Sequence, residues 1–347
     1  MQAFSAADIV SPAIKRTKWF LFDRFRWSTF LKICLVSVVT EGGTSGRFSV
    51  PGRSHPGTST TTTPTIATPH VSPLELAMIA AAVVLLIGIA FVIAYLITRL
   101  RFAFFHCLVQ PTREIRPGWR IYEAQSWRFF LLTLAVGFTF LFVTFLIALP
   151  FLIAFYRMLQ GLHPGSGAVI GLILPLIPVI ILIVLLGLAI QIVLNDFMLP
   201  HFALENTSAG EAWRQVRTRI VAEKGGFLLY AILRILLPIA AMVGAVIILA
   251  VPALFTAMFF AAPSAGLAAI ISGATGATKL FFIFLIAVIV LVAVAVVILL
   301  GLCITGPIGV AVRNYALLFY GGRYKVLGDL LSPPAPPPPI VENAGTA

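Results

Sequence analysis

Residues Leu280–Ile304 read LFFIFLIAVIVLVAVAVVILLGLCI and contain no Asp, Glu, Lys, Arg or His. A helix needs about 20 apolar residues to cross the hydrocarbon core of a bilayer. This run meets that requirement with nothing polar to hydrate. Working outward from it, four more runs meet the same test: Leu76–Ile97, Phe129–Tyr156, Ala168–Leu194 and Phe227–Phe260. Only the last of these carries a charge, Arg234, close enough to its start to snorkel toward headgroups. The runs are continuous. The short alternating segments of a membrane barrel are missing, so helices are the expected spanning form, each satisfying its own backbone.

Composition agrees. Of 347 residues, 60% are hydrophobic and 10% charged, against about a quarter charged in an ordinary soluble domain. A soluble fold could not bury so much, because too much chain lies near its surface. The expected fold class is all-α: a polytopic transmembrane helix bundle of about six membrane helices, with amphipathic cytoplasmic connections.

The sixth helix is expected near the N-terminus. Residues 14–27 interleave Lys15, Arg16, Lys18, Arg24 and Arg26 with Trp19, Phe20, Phe22, Phe25 and Trp27, a mixture suited to the headgroup layer. The apolar stretch Phe30–Val39 follows, interrupted by Lys32 and Ser37, and a short span at about 28–40 would include it. Lys plus Arg then number 5, 2, 6, 1, 4, 1 and 3 in the successive non-spanning segments, with Lys32 and Arg234 left inside spans. That alternation is what the positive-inside rule requires, and it puts both termini in the cytoplasm. A cleavable signal peptide fits poorly: its charged region would be long, and no small-residue cleavage site follows Val39.

The chain therefore divides into a basic, aromatic segment with a short first membrane helix (1–40), a Ser/Thr/Pro-rich linker (41–73), a transmembrane helical domain (74–330) and a Pro-rich tail (331–347). Linker and tail have compositions that cannot build a core. Small residues four apart, Ala240 with Gly244 and Ala241 with Ala245, favour close helix packing. Pro150, Pro175, Pro178, Pro238 and Pro252 can kink the spans, though proline is common in membrane helices.

The basic connections look structured. Ser208 and Glu211 have capping-box spacing. Beyond them Ala209, Ala212, Trp213, Val216 and Ile220 share one helical face, with Arg214 and Thr218 opposite. A helix of this kind should rest on a membrane surface. Trp119, Tyr122 and Ser126 make a weaker version in residues 98–128. Two connections thus carry a Trp-Arg pair, Trp119-Arg120 and Trp213-Arg214, followed by a Phe/Leu-rich span, which suggests an internal repeat. Trp119, Arg120, Trp213, Arg214 and Arg217 are the candidate surface for lipid or a protein partner.

Chemistry is sparse. The histidines His55, His70, His106, His163 and His201 have no metal-ligand spacing, and Cys34, Cys107 and Cys303 are far apart. Residues 273–279 lack the order of a phosphate-binding loop. No catalytic residue, cofactor or metal is expected. The one polar group of interest is Gln191, Asn195, Asp196, His201 and Glu205, at the inner end of the third long span. Asp196 could pair with an arginine and fix the following helix, or could meet a polar substrate or headgroup.

Several strings carry a family resemblance. Ser11-Pro12-Ala13-Ile14-Lys15-Arg16-Thr17-Lys18 with Phe20-Leu21-Phe22, then Arg101-Phe102-Ala103-Phe104-Phe105-His106-Cys107, Asp196-Phe197, Glu211-Ala212-Trp213-Arg214 and Leu317–Tyr324 resemble a bacterial multi-pass membrane family of unknown function. A more distant likeness is to the membrane domain of glycerophosphodiester phosphodiesterases. The resemblance implies a six-helix membrane domain in a bacterial inner membrane. It implies no hydrolase, since no acid-rich catalytic domain is present. The expected function is a non-catalytic membrane module that binds lipid, with anionic headgroups favoured, or membrane protein partners, and does not bind nucleic acid. The alternative is a transporter of a lipid or small amphiphile.

Overall fold

A computed structural model describes residues 5–23, 25–45, 73–110, 112–160, 166–273 and 276–331. Among the described residues the chain is all-α, with no strand. In order come α1 (Val10–Phe22), α2 (Trp27–Ser45), α3 (Pro73–Val109), α4 (Ile115–Ile121), α5 (Glu123–Gln160), α6 (Ser166–Ile192), a π-helical turn (Val193–Met198), α7 (Leu199–Leu204), α8 (Ala209–Ala222), α9 (Lys224–Gly273), α10 (Ala277–Gly321) and α11 (Lys325–Leu331). Most of the linker, the Pro-rich tail, His55, His70, His163 and the middle of the glycine-rich 273–279 segment lie outside the described residues.

Five helical stretches are long and apolar enough to cross a membrane: Pro73–Val109, Glu123–Met158, Leu174–Leu204, Lys224–Ile248 and Ala277–Gly321. They fall on the five apolar runs of the sequence. Their most apolar parts are almost wholly exposed; Ile248 is 76% and Leu280 70% accessible. In water each such side chain would forfeit about 2 kcal/mol of burial. Against lipid tails it forfeits nothing, so the chain is an integral membrane protein. Pro150, Pro175 and Pro178 sit inside continuous helices, as do Pro238 and Pro252 within α9.

The segment expected as a short sixth span is helical, but it is not one of those five. Lys32 and Glu41 dilute its apolar character. One face of α2 is buried: Ile33, Cys34, Ser37, Thr40 and Glu41 are all less than a tenth exposed. It lies against α10, where Ser37 Oγ donates to the carbonyl of Gly306 at 3.1 Å. The paired positions Cys34/Gly306, Ser37/Gly309 and Glu41/Arg313 advance together, so the two helices run in the same direction. Glycine is required at this crossing. A Cβ on Gly306 would stand 2.7 Å from Cys34 Sγ and 2.8 Å from its Cα. Glu41 and the four residues after it, expected to begin the linker, instead complete α2.

The packed core gathers at one end, where both described ends of the chain meet. Arg16 of α1 donates to the carbonyls of Leu108, at 2.8 Å, and Leu331, at 3.3 Å. Asn314 of α10 donates to Thr17 at 2.9 Å. This base is aromatic. Phe319 and Tyr315 stack on Tyr230, with ring centroids 4.3 and 5.3 Å apart, and Phe197 meets Phe227 edge-on at 5.1 Å. The base also unites the basic segments: α1, the α3–α5 connection, α8 and the α10–α11 corner. Long apolar helices thus rise from a compact, cation-rich foot.

Candidate functional site

The site begins at a break in helical regularity. Between α6 and α7 the chain widens into a π turn, with Leu199 N–H reaching back to the carbonyl of Leu194. Pro200 accounts for the widening. It cannot donate to the carbonyl of Asp196, and its ring needs room there. Such turns re-aim side chains and are frequent at functional sites. Here the turn presents Asn195 and Asp196 toward α9 and α10.

Asp196 is 1% exposed and fully engaged. Its Oδ2 accepts from Arg234 Nε and from Tyr230 OH, each at 2.9 Å. Its Oδ1 accepts from Arg313 Nη1 at 3.0 Å, and that same nitrogen donates to the Asn195 carbonyl at 2.8 Å. Arg234 Nη2 donates to Glu41 Oε2 at 2.8 Å, and Arg313 Nη1 stands 3.9 Å from Glu41 Oε1. Asn195 Oδ1 accepts from Arg101 Nη1 at 2.9 Å. One network therefore ties α2, α3, the π turn, α9 and α10. Isolated charges at this depth would be severely penalised. Pairing in good geometry, with extra hydrogen bonds, makes them tolerable.

Above the network lies a cavity of about 590 Å³, within the size range of small-ligand sites. Glu41, Asn195, Asp196 and Arg234 form its polar floor. Leu188, Ile239, Met242, Ile308 and Val312 are among its apolar walls. Pro238 also lines it. With no N–H, Pro238 leaves the Arg234 carbonyl without its usual helical donor, adding an acceptor near the floor. A second, apolar recess of about 520 Å³ lies between α5, α6 and the start of α8, with Trp213 at its edge.

The polar group read from the sequence divides in two. Gln191, Asn195 and Asp196 line the cavity. His201 and Glu205 turn into the base. Tyr320 OH donates to His201 Nε2 at 2.7 Å, Arg219 Nη1 donates to the same nitrogen at 3.2 Å, and His201 Nδ1 faces Glu205 Oε2 at 3.3 Å. Because Arg219 can only donate, Nε2 is the acceptor and the proton sits on Nδ1. That assignment rests on the partners. The cluster clamps α7 to α8 and α10.

The tryptophan–arginine pairs also part company. Trp119 is half-buried beneath the Arg99 guanidinium, 4.8 Å from its ring centroid, and its carbonyl accepts from Arg99 Nε at 3.1 Å. Arg120 is exposed. In α8 the Ser208 hydroxyl accepts from the Glu211 N–H at 3.4 Å, which starts the helix at the expected place. Ala212 and Val216 are buried, Trp213 is 47% exposed, and Arg214 and Arg217 face outward.

Glu41, Arg101, Arg234 and Arg313 were not among the sequence candidates. Arg234 is not snorkelling; it is 9% exposed and doubly paired. An arginine inside an apolar run is itself a signal to search for a buried acid. Its partners, however, lie 193 and 38 residues away in sequence. Among the described residues no cluster of three or more His, Cys, Asp or Glu could hold a metal ion.

Over residues 4–330 the chain matches the family model DUF7544, described as a family of unknown function. No curated protein and no solved structure matches it, so the likeness to the phosphodiesterase membrane domain has no support from these comparisons.

Proposed function

Since the chain belongs to the DUF7544 family, whose function is unknown, we propose from the geometry of the site that it is a non-catalytic membrane module that binds an amphiphile. The observation that carries this reading is the cavity, with an ionic floor beneath apolar walls. A lipid or similar molecule would set its polar head on Asn195 and Arg234 and lay its chain along α6, α9 and α10. The floor's charged groups Glu41, Asp196 and Arg234 are joined as ion pairs, which suits a binding floor better than acid–base chemistry.

The same reading puts the cationic foot, where both described ends of the chain lie, against the inner leaflet of a bacterial inner membrane. In support, the basic segments that alternate along the sequence converge on one end of the fold. Trp213, Arg214 and Arg217 on α8, with Arg120 on α4, would then touch anionic headgroups, and membrane protein partners could use the same surface. Replacing Trp213, Arg214 and Arg217 together with alanine is expected to weaken binding of detergent-solubilised protein to vesicles rich in phosphatidylglycerol by at least tenfold, since each basic residue near such a surface contributes about 1 kcal/mol. Unchanged binding would remove α8 from the surface.

The direct test is native mass spectrometry of the protein extracted with its surrounding lipid. A stoichiometric amphiphile is expected, and Ile239→Trp, which fills the cavity from its wall, should lose it while keeping the thermal midpoint of the lipid-stripped wild type, because a bound amphiphile itself raises the midpoint. A stoichiometric protein partner with no retained amphiphile would defeat the proposal.

A further inference from the structure

Gln191 lies inside the spanning stretch Leu174–Leu204 and lines the cavity one helical turn before Asn195. Its side-chain amide has no hydrogen-bond partner among the described residues. A polar group in a membrane span is costly, and one that faces a cavity is a mark of binding. Asn195 gives its Oδ1 to Arg101 Nη1 at 2.9 Å, while its Nδ2 amino group has no partner among the described residues. Both side chains are partly accessible, and the cavity is what they line. Pro238, in the opposite wall, has no N–H to give the Arg234 carbonyl. The hydrogen-bonding capacity left open at this site is therefore uncharged.

The charged lining works against a charged head. Glu41, Asp196 and Arg234 sum to one negative charge, which opposes an anion. A cation would have to compete for carboxylates already engaged. Arg234 holds Asp196 Oδ2 at 2.9 Å and Glu41 Oε2 at 2.8 Å, and Arg313, outside the lining, holds Asp196 Oδ1 at 3.0 Å. The open groups ask for both roles: the Asn195 amino group donates, the Arg234 carbonyl accepts, and the Gln191 amide does either. A carboxylate or phosphodiester only accepts, and an ammonium only donates. Each would leave one kind of group unmet and would lose its own hydration as well. A hydroxyl both donates and accepts. From this we infer that the cavity selects an uncharged amphiphile with a hydroxyl head, either a glyceride or a single-chain alcohol. The inference rests on the amphiphile-binding reading above and gives that site its ligand class.

The test compares heads on identical chains. The full-length protein is stripped of lipid in an amine-oxide detergent, whose head carries no hydroxyl to compete. It is titrated with dioleoylglycerol against dioleoylphosphatidylcholine, and with oleyl alcohol against oleate. Retention is read by native mass spectrometry, and the thermal midpoint is followed alongside. In at least one of the two pairs the hydroxyl-headed member is expected to bind at least tenfold more tightly than its charged counterpart. Tighter binding of dioleoylglycerol than of oleyl alcohol identifies a glyceride as the source, and the reverse identifies a single-chain alcohol. Gln191→Leu removes the amide and keeps much of its bulk. The preference should then shrink about fivefold, the effect of one lost hydrogen-bonding group. Because that amide has no partner in the fold, the lipid-free midpoint should hold or rise. Equal or tighter binding of the charged member in both pairs, an undiminished preference in Gln191→Leu, or a lowered lipid-free midpoint in that variant overturns the inference while leaving amphiphile binding intact. Binding of none of the four by the wild type defeats the underlying reading instead. Should the variant fail to fold, the wild-type comparison decides alone.

Discussion

Asp196→Ala is expected to cost about 3–5 kcal/mol of stability, because it leaves buried arginines without their acid. The carboxylate is 1% exposed and accepts from Arg234, Arg313 and Tyr230. Its loss leaves three guanidiniums to one carboxylate in the network, and it frees three buried donors at once. The measurement is the midpoint of thermal unfolding in detergent. A double-mutant cycle identifies the cause. Asp196→Asn combined with Arg234→Gln restores the original net charge of the network, so the double variant should recover part of the loss. Coupling between contacting, charge-paired residues is expected to reach about 1–3 kcal/mol. Strictly additive losses would mean that Asp196 acts only through its shape. A small loss for Asp196→Ala alone would mean that water reaches the network and that the floor is not a dry ionic site.

Gly306→Val should separate α2 from α10. The added carbons have nowhere to go, since even a Cβ would stand 2.8 Å from the Cys34 Cα. Overpacking of this kind costs about 1–3 kcal/mol when side chains can adjust, and here backbone must move. The consequence reaches the site, because α2 carries Glu41 to Arg234. The readout is Cys34, which is fully buried. In a chain with Cys107 and Cys303 replaced by alanine, a maleimide should label Cys34 quickly in the variant and hardly at all with Gly306 intact. Gly301→Val is the control: the same helix has open space there, with nothing within 4 Å of the added Cβ. Labelling that rises equally in both variants would trace the effect to helix propensity and not to the crossing.

The membrane character of the chain was legible in composition and run length alone, since hydrocarbon accepts only long, self-satisfied apolar segments. The five long helices fall where the runs predicted. The start of α8 at Ser208 was also legible, because capping is a local interaction between neighbours in sequence. The limits lay in residues whose partners are remote. Arg234 looked like a snorkelling charge, because a one-dimensional reading cannot bring Glu41 of α2 to it across 193 residues. Asp196 was singled out, but its environment depends on a π turn that widens ahead of Pro200. Glu41 looked like the first residue of a linker, and only the Gly306/Gly309 crossing on α10 draws it into the foot. His201 and Glu205, neighbours of Asp196 in sequence, turn away to Tyr320. Sequence by itself thus determined the solvent in which this protein folds and where its long helices run, because both follow from the residues of each segment alone. Tertiary structure decided which buried charges meet, and so where the cavity and its charged floor lie, because compensation of a buried charge depends on separations in space that the order of residues does not contain.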